Sequence, residues 1–125
     1  MAKVPTGTSG SVVTSSSGTN WIGAVVCYSL IATNPLLIDT STTTANPGLL
    51  PISVVGGGVV ACVSNGYATT STWSGGVTQD SGPFGSVGIM SASTPTNTAF
   101  SGTLTPKITV PSGFAPGAAV AVSFR

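Results

Sequence analysis

The sequence is nearly devoid of charge. Of its 125 residues only 4% are ionic, against roughly 25% in an average soluble domain. All five charged residues can be named: Lys3, Asp39, Asp80, Lys107 and Arg125. Histidine and glutamate are absent. Each absence excludes a class of function. Three cations spread along the chain cannot form the basic patch that phosphate binding requires, so no nucleic acid is expected as partner. The same scarcity argues against an anionic membrane surface. Without histidine, a serine nucleophile has no ordinary base. Two carboxylates are too few for a calcium cage, and two cysteines without histidine cannot make a structural zinc site of the usual four-ligand kind. No cofactor, metal or catalytic residue is expected, and the chain reads as a non-enzyme.

A long apolar run is also lacking. The most apolar stretch, Trp21 to Ala32, contains Gly23, Cys27, Tyr28 and Ser29, and it falls short of the ~20 residues that span a bilayer as a helix. Behind Lys3 no apolar segment of a secretory signal follows, so the expectation is synthesis in a host cytoplasm. Cys27 and Cys62 each sit inside an apolar run, which reads as two buried thiols, with a bridge open only if their strands are neighbours.

What the chain does have is glycine (17), proline (9) and many Ser, Thr and Asn residues, around a hydrophobic content of 41%. Disorder combines low hydrophobicity with high net charge. Neither holds here, so the chain should fold. Its surface must then be close to neutral, with little electrostatic repulsion between copies. A skin of that kind suits a protein whose working state is an assembly.

The pattern along the chain is that of an all-β, β-rich protein: a small sandwich or barrel of short strands with an extended N-terminal arm and little helix. Residues 1–20, rich in Gly, Ser and Thr, form the arm, and residues 21–125 a single β-rich domain. Trp21–Ile31 is apolar on both alternating faces, as a strand buried on both sides would be. Pro35–Asp39 is a second strand, followed by a Thr-rich loop over 40–46 and a Pro47-Gly48 turn. The apolar block from Leu49 to Ser64 is broken by Gly56-Gly57-Gly58, a bulge or tight bend. Asn65-Gly66 predicts a hairpin joining Val59–Val63 to Tyr67–Trp73, and Gly75-Gly76 predicts a turn. Further strands are expected around Val87–Ser91, Ala99–Leu104, Lys107–Val110 and Ala118–Phe124.

Two short motifs invite an enzymatic reading. Leu37-Ile38-Asp39-Thr40-Ser41 and Asp80-Ser81-Gly82 resemble the active-site loops of aspartic proteases, in which two carboxylates share a proton. Ser41 stands where glycine is usual, and Asp80 follows Thr78-Gln79 rather than an apolar strand. The plainer expectation is that Asp39 ends a strand and caps a turn, and that Asp80 opens a Ser-Gly-Pro turn. Trp73, set among hydroxyl residues near a turn, is the aromatic expected to be exposed, where it could anchor a protein interface or stack on a glycan. The candidate interface residues are Val4, Pro5, Val12, Val13, Trp21, Trp73 and Phe84.

A family resemblance runs through three patches. Pro35-Leu36-Leu37-Ile38-Asp39-Thr40-Ser41 resembles the segment that opens the folded body of lambda-type head decoration proteins of tailed bacteriophages. Val87-Gly88-Ile89 is similar to a central strand of that family. Thr98-Ala99-Phe100-Ser101-Gly102-Thr103, running on to Ile108-Thr109-Val110, resembles its closing strand. The patches occur in the family's order. This chain departs from the pattern by continuing through Pro111–Arg125, by its longer apolar block before Pro35, and by its lack of charge. The resemblance implies a homotrimer at threefold points of the outer capsid surface of the virion, with the major capsid protein and copies of itself as partners. Residues 1–20 would order on docking. Another structural subunit (coat, tail, spike or filament) and a carbohydrate-binding module on a virion surface are the alternatives.

Overall fold

β-Branched and small apolar residues, parcelled by Gly and Pro, should make many short strands and few helices. The computed structural model describes residues 36–65, 70–84, 88–94, 99–112 and 117–125. Its elements are strands throughout: β1 Leu37–Thr43, β2 Gly48–Leu49, β3 Ile52–Val54, β4 Val59–Ser64, β5 Thr72–Ser74, β6 Thr78–Phe84, β7 Ile89–Ser93, β8 Gly102–Leu104, β9 Lys107–Thr109 and β10 Ala119–Phe124. The fold is all-β, as the sequence predicts. The proposed arm and the run Trp21–Ile31 lie outside the described residues.

The main layer is a five-stranded antiparallel sheet in the order β1-β10-β4-β7-β6. The second layer is one ribbon broken by proline. From Gly48 to Val54 the partners step back from Ile108 to Gly102 without a slip. Midway, the Leu50 N–H donates to the Pro106 carbonyl at 2.9 Å. Pro51 and Pro106 carry no N–H, so the ribbon divides into a β2–β9 and a β3–β8 ladder. β5 adds to β9 on its other side.

The core lies between the layers. Val60, Cys62, Met90, Ala92, Ala119 and Ala121 from the main sheet meet Leu50, Ile52, Val54, Trp73, Val77 and Ile108. The register places Cys62 between Ala121 and Ala92, a row of small side chains that leaves room for the bulkier opposite layer.

With so few ions, neutral polar groups join the layers. Ser123 is fully buried, and its hydroxyl donates to the Ser53 carbonyl at 2.7 Å, tying β10 to β3. The Asn46 amide mimics a peptide: its Nδ2 donates to the Val110 carbonyl at 3.0 Å and its Oδ1 accepts from the Val110 N–H at 3.2 Å. At the other edge, the chain passes from β5 to β6 through Gly75 and Gly76, both at positive φ (78° and 88°). A side chain at Gly75 would also strike the Thr105 carbonyl oxygen.

Several expectations need correction. The Asn65-Gly66 hairpin does not form, because both edges of β4 are taken by β10 and β7 while β5 pairs with β9. Strand β4 is apolar on both faces and gains more from a central place than from a local turn. The Thr-rich stretch is not a loop: Thr40–Thr43 continues β1 opposite Ala119–Val122, consistent with the strand preference of threonine. Asp39 and Asp80 sit within β1 and β6, not at turns. Gly56–Gly58 does form a tight bend, closed by the Gly58 N–H on the Val55 carbonyl at 2.8 Å.

Candidate assembly surface

One end of the molecule gathers exposed apolar side chains. The chain enters the described fold at Leu36, which exchanges two backbone hydrogen bonds with Arg125 at 2.7 and 2.9 Å. Leu37 pairs with Phe124, and Phe124 pairs with Val59 just after the Gly56–Gly58 bend. The Gly56 N–H donates to Ser101 Oγ at 2.8 Å, which brings the approach to β8 alongside. Leu36 (63% exposed), Leu37 (55%) and Phe100 (51%) therefore share this pole. The Phe100 ring folds over Gly102, which has φ of 148° and no Cβ to obstruct it. Leu49, 51% exposed, stands apart on β2, opposite Lys107.

Large apolar side chains half exposed at one end contribute nothing to the core, and burial on a partner would stabilise a complex by about 25 cal/mol per Å² of apolar area. Arg125, paired with Leu36, and Asp39, two residues beyond Leu37, are the charges that border the pole. A partner therefore meets mostly hydrocarbon and hydroxyl.

Trp73 is a correction. It was expected at the surface, but it is 8% exposed and belongs to the core, paired with Ile108. Within Thr-Trp-Ser of β5 the hydroxyl residues face out and the indole faces in, as strand alternation dictates. It offers no platform for a sugar ring. Its Nε1–H is buried and finds no acceptor among the described residues. Phe84 ends edge strand β6 opposite Ile89; its side chain is outside what is described. Val4, Pro5, Val12, Val13, Trp21 and Tyr67 also lie outside the described residues.

The protease motifs do not meet. Asp39 is on β1 and Asp80 on β6, the two outer strands of the main sheet, with β10, β4 and β7 between them. Strands are spaced about 4.8 Å apart, so one chain cannot place these carboxylates around a shared proton. Each has a structural task instead. Asp39 accepts the Thr40 and Ser53 N–H groups, both at 2.8 Å, which links β1 to β3. Those bonds, the Ser53 one first, hold its carboxyl below the ordinary carboxylate value. Asp80 accepts from the Ser93 hydroxyl at 3.0 Å.

Cysteine chemistry is disfavoured as well. Burial pushes the Cys62 thiol up to about 12, and the charge of Asp80 adds to the effect, so the thiolate that reacts or ligates is scarce at neutral pH. Cys27 lies outside the described residues. An open groove of about 550 Å³ is lined by Thr42, Val63, Asn65, Ile89 and Val120 among others. None of its described lining residues is ionisable, so it offers neither acid nor base. Among the described residues no group of three or more His, Cys, Asp or Glu could hold a metal, and no helix is long and apolar enough to cross a membrane.

Sequence reasoning missed Leu36, Leu37 and Phe100 as surface residues. Leu36 and Leu37 read only as part of the strand Pro35–Asp39, and they fall at the start of an edge strand, where only one neighbour covers them. Strand β6, at the other edge, carries two register shifts and Gly82 at φ 100°, irregularities that discourage pairing with a further chain. Compared with models of known families, with curated proteins and with solved structures, the chain matches none.

Proposed function

We propose that this chain is a structural virion protein that docks on an assembled phage head and stabilises it, as a decoration or cement subunit. The observation that carries this reading is the pole of Leu36, Leu37 and Phe100 on a chain that is only 4% charged. Such a surface is poorly suited to standing alone in water and well suited to contact with neighbours. Cementing needs no reacting group. A subunit that binds only the assembled lattice stabilises that lattice by mass action. The partners would be the major capsid protein and further copies of this chain, in a homotrimer, with residues 1–20 as the arm that orders on docking.

The test is removal of residues 2–18. The truncated protein should keep its thermal midpoint and lose its binding to capsids. Undiminished occupancy on particles would overturn the role of the arm.

A principal coat, tail, spike or filament subunit is the second reading, and the same neutral surface favours it, since low charge permits contact between identical copies. Assembly of the purified protein with no capsid present would favour this role over decoration. Burial of Trp73 removes one of the two aromatics that a carbohydrate-binding reading could use; the other, Tyr67, lies outside the described residues.

A further inference from the structure

The main sheet ends differently on its two sides. Edge strand β6 carries two register shifts, Gly82 at φ 100° and the exposed Asp80. Edge strand β1 shifts once, between Leu37 and Asp39, and then keeps its register to Thr43. The bonds at either end of β10 show which peptide groups of β1 face outward. The Asn65 N–H donates to the Ala118 carbonyl, and Leu36 and Arg125 exchange both of their bonds. In an antiparallel ladder successive residues turn their peptide groups to alternate sides. Val120 and Val122 therefore bond β4, while Ala119, Ala121 and Ser123 bond β1. Their partners on β1 are Thr43, Ser41 and Asp39, so Thr40 and Thr42 turn their N–H and C=O away from the sheet. No described strand pairs with that side of β1. The Thr40 N–H is taken by its neighbour Asp39, whose Oδ1 accepts it at 2.8 Å. What the edge offers a partner is the Thr42 N–H and the carbonyls of Thr40 and Thr42.

We propose that β1 pairs with β1 of a second copy, antiparallel across a twofold axis at Thr42, joining two main sheets into one. The register follows from what is open. The two Thr42 residues exchange N–H to C=O bonds, which leaves the Asp39–Thr40 bond intact. A register centred on Ser41 would need the Thr40 N–H that Asp39 already holds. Around the axis, Ser41 faces Thr43 and Thr40 faces Thr44 of the second copy, pairs of hydroxyl residues that favour a ladder. Charge permits it. Asp39 is the one ionic residue of β1, and in this register the two carboxylates lie about 20 Å apart along the strands, beyond the ~8 Å screening length of physiological salt. The other edge limits the association to a pair. Copies joined β1 to β6 would grow as an open filament, and the irregularities of β6 discourage that ladder. Leu37, at the start of β1, would lie toward the Ala45–Pro47 turn of the second copy, so part of the exposed pole is covered by the same contact. The inference concerns the free chain and does not depend on the virion reading.

The test uses the purified full-length protein with no capsid present. Thr42→Cys is treated with a mild oxidant and its disulfides are mapped by peptide analysis. Facing residues of a hydrogen-bonded pair have Cα atoms about 5.5 Å apart, inside the ~7 Å limit for a disulfide. Thr40→Cys is the control for register, since its two copies would stand about 14 Å apart along the strands. Thr78→Cys, exposed on β6, is the control for the other edge. A bond between chains at position 42 is expected, with little at 40 or 78. Absence of that bond would overturn the proposal, and so would bonding at either control as extensive as at 42, which would mean chance collision. A second variant avoids covalent capture. Thr42→Lys sets like charges face to face, and lysine is an ordinary guard of edge strands. Sedimentation should show the parent forming a pair and the variant associating at least about tenfold more weakly, a loss of roughly 1.4 kcal/mol, at an unchanged thermal midpoint. A parent protein that stays monomeric at every concentration, or a lysine variant that pairs as well as the parent, would also overturn it.

Discussion

The two faces of the five-stranded sheet are both apolar, and they are built differently. The inner face mixes small side chains (Cys62, Ala92, Ala119, Ala121) with Met90 and Val60, and meets the large residues of the proline-broken ribbon. The outer face is a run of valines and alanine ending in Phe124 and Leu37 at the exposed pole. Small against large gives close packing between layers, whereas part of the outer stripe, at Val63, Ile89 and Val120, borders an open groove. Fold stability should therefore concentrate on the inner face and surface behaviour on the outer one.

The largest effect expected is at Met90, fully buried on the inner face. Met90→Ala should cost about 3 kcal/mol and lower the thermal midpoint by roughly 15 °C. A midpoint within a few degrees of the parent protein would mean that the inner face is not the main source of stability. Next comes the seam that closes the inner layer. Gly75→Ala forces a side chain into φ of 78° against the Thr105 carbonyl. The backbone angle alone costs about 2 kcal/mol, before the collision is counted. Thermal melting checks this, and an unchanged midpoint would show that the seam is pliable.

How much of this was legible in the sequence follows from which signals were local. Strand type, the Gly56–Gly58 bend and the Gly75-Gly76 turn were readable, because β-branching and glycine act within a few residues. Pairing was not. Asn65-Gly66 is a strong hairpin signal, yet β4 takes partners far along the chain in β10 and β7, since a strand apolar on both faces is most stable in the middle of a sheet. Trp73 misled for a related reason: its Thr and Ser neighbours suggested exposure, whereas in a strand they are the evidence that the residue between them points inward. The pole was illegible because Leu36 and Leu37 have core-like identities, and only the sheet order reveals that they flank an edge.

On the outer face the comparison predicts a smaller loss. Val122→Ala removes about 1.5 kcal/mol of apolar burial if the face is dry, and almost nothing if it is wet, so a midpoint shift about half that of Met90→Ala is expected. Asp39 joins β1 to β3 by accepting two N–H groups, and its lowered pKa ties that bond to pH. Its stabilising contribution is complete above the unfolded-state value of about 3.9 and disappears as pH falls through the lower folded value. Asp39→Asn keeps only one accepting oxygen. It should be less stable at neutral pH and should lose this part of the acid dependence. Identical melting curves for both proteins from pH 2 to 6 would remove Asp39 from the seam.

The smallest effect on stability is expected at the pole. The double substitution Leu36→Ser with Leu37→Ser replaces side chains that are already more than half in water, and surface changes of this kind usually stay within about 0.5 kcal/mol. Its effect on association should be the reverse. If the pole is where the protein meets its neighbours, the variant should melt like the parent, stay monomeric at concentrations where the parent self-associates, and lose occupancy on capsids. A variant that melts normally and associates normally would leave the pole without a task. A variant that unfolds would return both leucines to the core, because side chains that the fold needs cannot also be the ones it offers to a partner.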